Sequence, residues 1–66
     1  MKTGDIVELI EDMTFYKKGR KATFIKEEVH NLSNAEIVWY GEESAYKEYG
    51  DCEIVPKKLL RVIKSN

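Results

Sequence analysis

The aromatic side chains of this chain offer the clearest potential for chemistry, and the chemistry that they favour is binding. The 66 residues include four Tyr, two Phe and one Trp, which is more aromatic surface than the core of so small a protein needs. Tyrosine gives a large contact area at a low cost in conformational entropy. We therefore predict a protein-contact surface, although the same residues are also suited to covering the ends of the fold. The predicted contact residues are Phe15, Tyr16, Tyr40 and Tyr46.

Most of the basic residues fall into two clusters, one in the first third of the chain and one near its end. Together the clusters would form a phosphate-binding surface whose affinity falls steeply with salt. Against this, 11 basic and 12 acidic residues leave a net charge of −1, which gives the whole chain no attraction to nucleic acid or lipid. The alternative is that both clusters are solvated surface. The cluster residues are Lys17, Lys18, Arg20, Lys21, Lys57, Lys58, Arg61 and Lys64.

The sequence has no pattern typical of catalysis or of a metal or cofactor site. It has no glycine-rich phosphate loop and no Ser, His and Asp set. One Cys and one His fall short of the four ligands of a structural zinc site. Cys52 has no disulfide partner, and we interpret it as a small buried residue of a strand in a reducing cytoplasm. We predict that the protein is not an enzyme and that it has no cofactor and no metal.

The elements that position these residues are predicted to be strands. Five short runs of β-branched, aliphatic and aromatic residues alternate with a period of two, and turn-forming residues separate them. The runs are residues 6–11, 20–29, 35–40, 52–55 and 60–63. The side chains predicted to face inward are Val7, Leu9, Ala22, Phe24, Ala35, Ile37, Trp39, Ile54, Leu60 and Val62.

The connections between the strands carry three further predictions. Residues 12–19 form a long first loop, and Pro56 favours a single 3-10 turn at residues 56–59 before the last strand. Residues 45–49 are compatible with a strand or with one turn of helix. Because a sheet this small removes its exposed edges only by closing, we expect a barrel.

The length and polarity of the chain predict one domain, residues 1–66, with a thin core. Residues 1–5 are polar and predict no signal peptide, and no apolar run exceeds four residues, which predicts no membrane span. We expect a cytoplasmic protein that is a monomer or a weak homodimer.

Four segments carry a resemblance to a known family: Gly4–Val7, Lys18–Phe24, Ala35–Trp39 and Ile54–Leu60. In this order they resemble the SH3-like barrels in the broad sense, which include KOW domains and many small bacterial and phage proteins. The resemblance covers nearly the whole chain. It implies an all-β, five-stranded SH3-like barrel with a long first loop and a 3-10 turn before the last strand.

The resemblance also bears on function. The first strand has no aromatic motif, and Leu59 stands where peptide-binding SH3 domains have a tyrosine, so recognition of PxxP peptides is not implied. We expect a small non-catalytic module that binds another protein, as an accessory protein of a bacterium, phage or prophage. The alternative is a KOW-like module that contacts nucleic acid or the ribosome through the basic clusters.

Overall fold

Strands are the predominant secondary structure of the computed structural model, which describes all 66 residues of the chain. The long first loop predicted from the sequence is present between the first two strands, and the 3-10 turn follows Pro56 directly. The elements are β1 (Ile6–Leu9), β2 (Lys21–Glu28), β3 (Asn31–Trp39), helix α1 (Glu43–Tyr49), β4 (Glu53–Pro56), the 3-10 turn (Lys57–Leu59) and β5 (Leu60–Lys64).

The five strands form one antiparallel sheet in the order β4-β3-β2-β1-β5. The predicted closed barrel is wrong, because the edge strands β4 and β5 do not pair with each other. Only the three residues of the 3-10 turn join these edges, so the sheet must curl until they approach each other at that corner. The ladder does not close there, since Pro56 ends β4 and has no N–H to donate.

The core is a single cluster on the inner face of the sheet. Its members alternate along the strands, as the period-two pattern predicted. Two residues of the predicted inward set are not buried, since Ile54 and Val62 are each 39% exposed. The core residues are Val7, Leu9, Ala22, Phe24, Ala35, Ile37, Trp39, Val55 and Leu60.

Strand pairing explains both exposures. Val55 pairs with Ala35 and shares its inward face, so Ile54 is turned outward. Val62 pairs with Val7 and faces inward, but it lies on an edge strand with no further strand to cover it.

Residues 45–49 are helical. Helix α1 ends at Gly50, which has the left-handed φ of 71° and donates its N–H to the Tyr46 carbonyl at 2.8 Å. The helix packs against β3, where Val38 points away from the core and is nevertheless only 5% exposed. A helix of seven residues is not stable alone, so it depends on this packing. None of the helices has the length and apolar character needed to cross a bilayer.

Asp5 is a buried carboxylate that joins the two ends of the chain. It is 3% exposed and accepts hydrogen bonds from the backbone N–H groups of Asn66 and Lys2, each at 2.8 Å. These two bonds, that of Asn66 first, lower the pKa of Asp5 because they favour the charged form. The side-chain amide of Asn66 also donates to the Thr3 carbonyl at 3.0 Å. This clamp, formed by Asp5 with the backbone of Lys2 and Asn66, was not predicted from the sequence.

Candidate protein-contact surface

Tyr16 anchors the first loop to the core. Its ring stacks on the buried Trp39, with the ring centroids 4.6 Å apart and the planes inclined by 29°. Its hydroxyl donates a hydrogen bond to Glu53 Oε1 at 2.8 Å. Of the four predicted contact residues, Tyr16 is therefore the one that holds the loop in place beneath the surface, because much of its ring is packed against Trp39.

Arg20 connects the same loop to the segment before the helix. Its guanidinium carbon is 5.0 Å from the ring centroids of both Tyr16 and Trp39, which is within cation–π range. Its Nη2 also forms an ion pair with Glu42 at 2.9 Å. Arg20 was predicted as a phosphate contact, but in the structure its charge is already shared between two rings and a carboxylate.

The polar groups around the Tyr16 hydroxyl change its pKa. The hydrogen bond to Glu53 is the main cause of a raised pKa for Tyr16, with further contributions from burial and from the charges of Glu53 and Glu42. The buried indole Nε1–H of Trp39 has no acceptor with normal hydrogen-bond geometry, although it lies close enough to the Tyr16 hydroxyl to lower that pKa slightly. Tyr16, Arg20, Trp39 and Glu53 thus link the first loop to the sheet, and the indole N–H is the polar group among them that lacks an acceptor.

Phe15 is 87% exposed, more than any other large hydrophobic side chain of the protein. The Met13 N–H donates to the Tyr16 carbonyl at 2.8 Å, so Thr14 and Phe15 form the tip of a closed loop. Met13 and Tyr16, on either side of the tip, both pack against the core. The loop thus holds Phe15 in solvent on an anchored backbone, which reduces the ordering cost of a contact there.

Tyr40 and Tyr46 are also available for contact, with 46% and 36% of their surface exposed. Tyr40 follows the last residue of β3, and Tyr46 lies on α1. Tyr49, at the end of α1, is 75% exposed and was not among the predicted contact residues. It lies three residues after Tyr46, so the two are neighbours on the helix surface. If residues 45–49 had been interpreted as a helix, Tyr49 would have been predicted as a contact residue beside Tyr46.

The segment that carries these tyrosines is acidic. The chain as a whole has a net charge of only −1, so this concentration of carboxylates leaves a basic excess elsewhere. An aromatic surface with negative potential is complementary to a basic partner. The only basic residue between Tyr40 and Glu53 is Lys47, and the acidic residues there are Glu42, Glu43, Glu48, Asp51 and Glu53.

The concave features of the surface are small or open. The most enclosed cavity, about 220 Å³, lies between α1 and the sheet, where Val38, Ala45 and Cys52 form part of its wall. This volume is below the roughly 300 Å³ at which ligand pockets begin. A wider, open cleft of about 650 Å³ lies between the first loop and the β1–β5 pair.

Cys52 is exposed, so our interpretation of it as a buried residue is wrong. Its sulfur lies 3.6 Å from Glu36 Oε1. Partial desolvation, followed by the negative charge and hydrogen bond of Glu36, raises the pKa of the thiol. A raised pKa disfavours the thiolate, so this environment does not activate Cys52 as a nucleophile. No cluster of three or more His, Cys, Asp or Glu side chains is arranged to hold a metal ion.

The structure brings residues of the two basic clusters together beside β1. Lys18 of the first cluster and Arg61 of the second line the open cleft beside β1. Lys57 and Lys58 instead line a separate depression with Ser33 and Asn34 at the start of β3.

Three of the predicted phosphate contacts already have acidic partners. Besides Arg20, Lys57 pairs with Glu27, and Arg61 pairs with Glu8 at 2.8 Å. The remaining residues of the predicted nucleic-acid surface have exposed side chains without an ion pair. These residues are Lys17, Lys18, Lys21 and Lys58.

Comparison of the chain with protein-family models, with curated proteins and with solved structures gives no match. The class that the fold itself defines is a small antiparallel β protein with one short helix.

Proposed function

We propose that this chain is a small non-catalytic module, of SH3-like type, that binds another protein through an aromatic surface. That surface comprises Phe15, Tyr40, Tyr46 and Tyr49, with Tyr16 as its support. The observation that carries the proposal is the position of Phe15, which is 87% exposed on a loop whose neighbouring side chains are packed into the core. Exposed aromatic residues on a rigid backbone are typical of the residues that dominate binding energy at interfaces.

The charge of the surface narrows the class of partner. The carboxylates around α1 favour a partner that presents lysine or arginine side chains to the exposed tyrosines. Binding to such a partner should be faster at low ionic strength, because attraction between exposed charges is screened within about 10 Å at 0.1 M salt. Apolar contact with Phe15 should persist at high salt.

The test is capture of a partner from a cell extract by the immobilised protein, followed by binding measurements with the purified partner. We expect Phe15→Ser combined with Tyr40→Ser to abolish binding and to leave Tm within a few degrees, because both side chains are exposed. Lys58→Ser, also at an exposed position, is the matched control and should bind normally. Binding that is unchanged in the double variant would refute the aromatic surface, and cooperative unfolding lost in that variant would show that these residues are structural.

A second candidate function is contact with nucleic acid, and one observation favours it. Lys18 and Arg61, from the two basic clusters, line the same open cleft. If this candidate is correct, the logarithm of the affinity for random RNA or DNA falls linearly with the logarithm of salt concentration. Replacing Lys18 and Arg61 by glutamine should then reduce the salt slope. The absence of binding at low salt would dismiss this candidate.

A further inference from the structure

Strand β5 presents an open edge to solvent. It pairs with β1 on one side and has no strand on the other. After the buried Leu60, the four residues Arg61–Lys64 are all exposed, including the β-branched Val62 and Ile63. The strand contains neither proline nor glycine, although its register against β1 shifts once, between Ile6 and Val7. Such an edge is a template on which another extended chain can add.

The other edge of the sheet is less suited to strand addition. Strand β4 has four residues and ends at Pro56, which has no N–H to donate. Its inward residue Val55 is already fully buried. The two edges therefore differ, and β5 is the one that has a backbone N–H at every residue together with exposed apolar side chains.

The register of β5 sets the charge of its outer face. Arg61 stands opposite Glu8, and a register shift between Ile6 and Val7 brings Lys64 opposite Ile6. Ile6 and Glu8 lie on either side of the inward-facing Val7 and therefore face outward. Arg61 and Lys64 pair with them, so they lie on the same outer face. Lys18 extends this basic margin from the neighbouring cleft. The inner face of β5, with Leu60 and Val62, is apolar.

We propose that β5 binds an extended acidic segment of a partner protein, which adds to the sheet as a sixth strand. Its side chains next to Leu60 and Val62 are apolar, and those next to Arg61 and Lys64 are Glu or Asp. The ion pair between Arg61 and Glu8 does not prevent this, since an exposed pair contributes little and its guanidinium can share a second carboxylate. A second copy of β5 is disfavoured, because it would bring four basic side chains together along one ladder. This site is separate from the aromatic surface and does not depend on it.

The probe is a soluble peptide of about seven alternating valine and glutamate residues, long enough to cover the five residues of β5. Binding is measured by fluorescence anisotropy at low salt, and the contact is located from the backbone amide resonances of the intact protein. We expect shifts at Arg61–Lys64 and slower exchange of their outward amides. A peptide N-methylated at every residue, which has no N–H to donate along either edge, should bind at least about tenfold more weakly. A peptide with lysine in place of glutamate should bind more weakly still.

Variants separate this site from the aromatic surface. Arg61→Gln combined with Lys64→Gln should weaken peptide binding by about fivefold. Lys47→Gln, which removes an exposed charge from α1, is the matched control and should have no effect. The Phe15→Ser variant should bind the peptide normally, so failure of the aromatic surface would leave this result intact. Equal binding of the N-methylated peptide, shifts centred on α1, or no binding at low salt would each overturn the proposal.

Discussion

The Tyr16 hydroxyl donates to the Glu53 carboxylate at 2.8 Å, joining residues 37 positions apart in the chain. The same tyrosine ring covers Trp39. Through this one side chain, the first loop is held against both a core strand and an edge strand. Phe15 is one residue earlier in the loop, so its position depends on the contacts of Tyr16 with Glu53 and Trp39. Weakening these contacts should therefore alter the geometry of the proposed surface.

Replacing Tyr16 by Phe should destabilise the protein while retaining the stacking on Trp39. Loss of the hydrogen bond to a carboxylate that lies partly in solvent should cost about 1 kcal/mol, and thus lower Tm by about 4–8 °C for a domain of this size. Tyr46→Phe removes a hydroxyl with no protein partner and should change Tm by no more than about 2 °C. Thermal unfolding followed by circular dichroism tests this, and equal effects of the two variants would contradict it.

The raised pKa of Tyr16 predicts lower stability in alkali. The unfolded chain releases the phenolic proton near the ordinary value of 10.0, whereas the folded protein retains it to higher pH. The contribution of this group to stability is therefore complete below pH 10 and is lost as pH rises through the folded-state pKa. Urea unfolding between about pH 8 and pH 11 should show a steeper loss in the native protein than in Tyr16→Phe. Parallel curves would show that Tyr16 does not titrate as proposed.

The lowered pKa of Asp5 predicts a loss of stability in acid. Its pKa is lowered below the ordinary 3.8, so its contribution is present above that value and is lost as pH falls through the folded-state pKa. Asp5→Asn should flatten the acid limb of the stability curve, whereas Asp51→Asn, at an exposed position, should leave its shape unchanged. Some slope should remain in Asp5→Asn, because Lys57 also lowers the pKa of Glu27. An unchanged acid limb in Asp5→Asn would refute the role of the clamp.

Two glycines with nearly equal φ values provide a matched test of the junction between the chain ends. Gly4 has φ +92° and Gly19 has φ +96°, but a Cβ at Gly4 would clash with the side-chain amide of Asn66, whereas one at Gly19 would meet nothing within 4 Å. Alanine should cost about 1–3 kcal/mol at either site through backbone strain. At Gly4 it should cost more, because the Asn66 side chain must move and lose its hydrogen bond to the Thr3 carbonyl.

The difference between these two variants can be assigned by a double-mutant cycle. Asn66→Gly removes the clashing side chain and retains the backbone N–H that Asp5 accepts. In this background, Gly4→Ala and Gly19→Ala should have the same effect on the free energy of unfolding in urea. A persistent difference would show that Asn66 is not its cause.

Much of the fold was predictable because local rules agree with it. The alternation in Val7 and Leu9, and in Ile37 and Trp39, specifies which side of each strand faces the core. Pro56 and the residues after it predict the 3-10 turn, since proline fits where no amide donor is needed. The pattern fails at Ile54 and Val55, two adjacent apolar residues in a strand too short to specify its own phase. Pairing with Ala35 decides which of them is buried.

The candidate surface was less predictable, because exposure is a property of the assembled chain. Phe15 and Tyr16 are adjacent and chemically alike, yet one is 87% exposed and the other packs against the core. Arg20 was predicted to contact phosphate because it belongs to a basic cluster, but it lies against Tyr16 and Trp39. Each of these outcomes depends on residues distant in sequence.

The amino-acid sequence alone determined that the chain forms short strands around a small apolar core, since periodicity and turn chemistry act over a few neighbouring residues. Tertiary structure decided the rest. It left the sheet open at β4 and β5, made residues 43–49 a helix against β3, and brought Asp5 to Asn66. These features arise from contacts between distant segments, whose free energies exceed the weak preferences of a seven-residue helix or a four-residue strand.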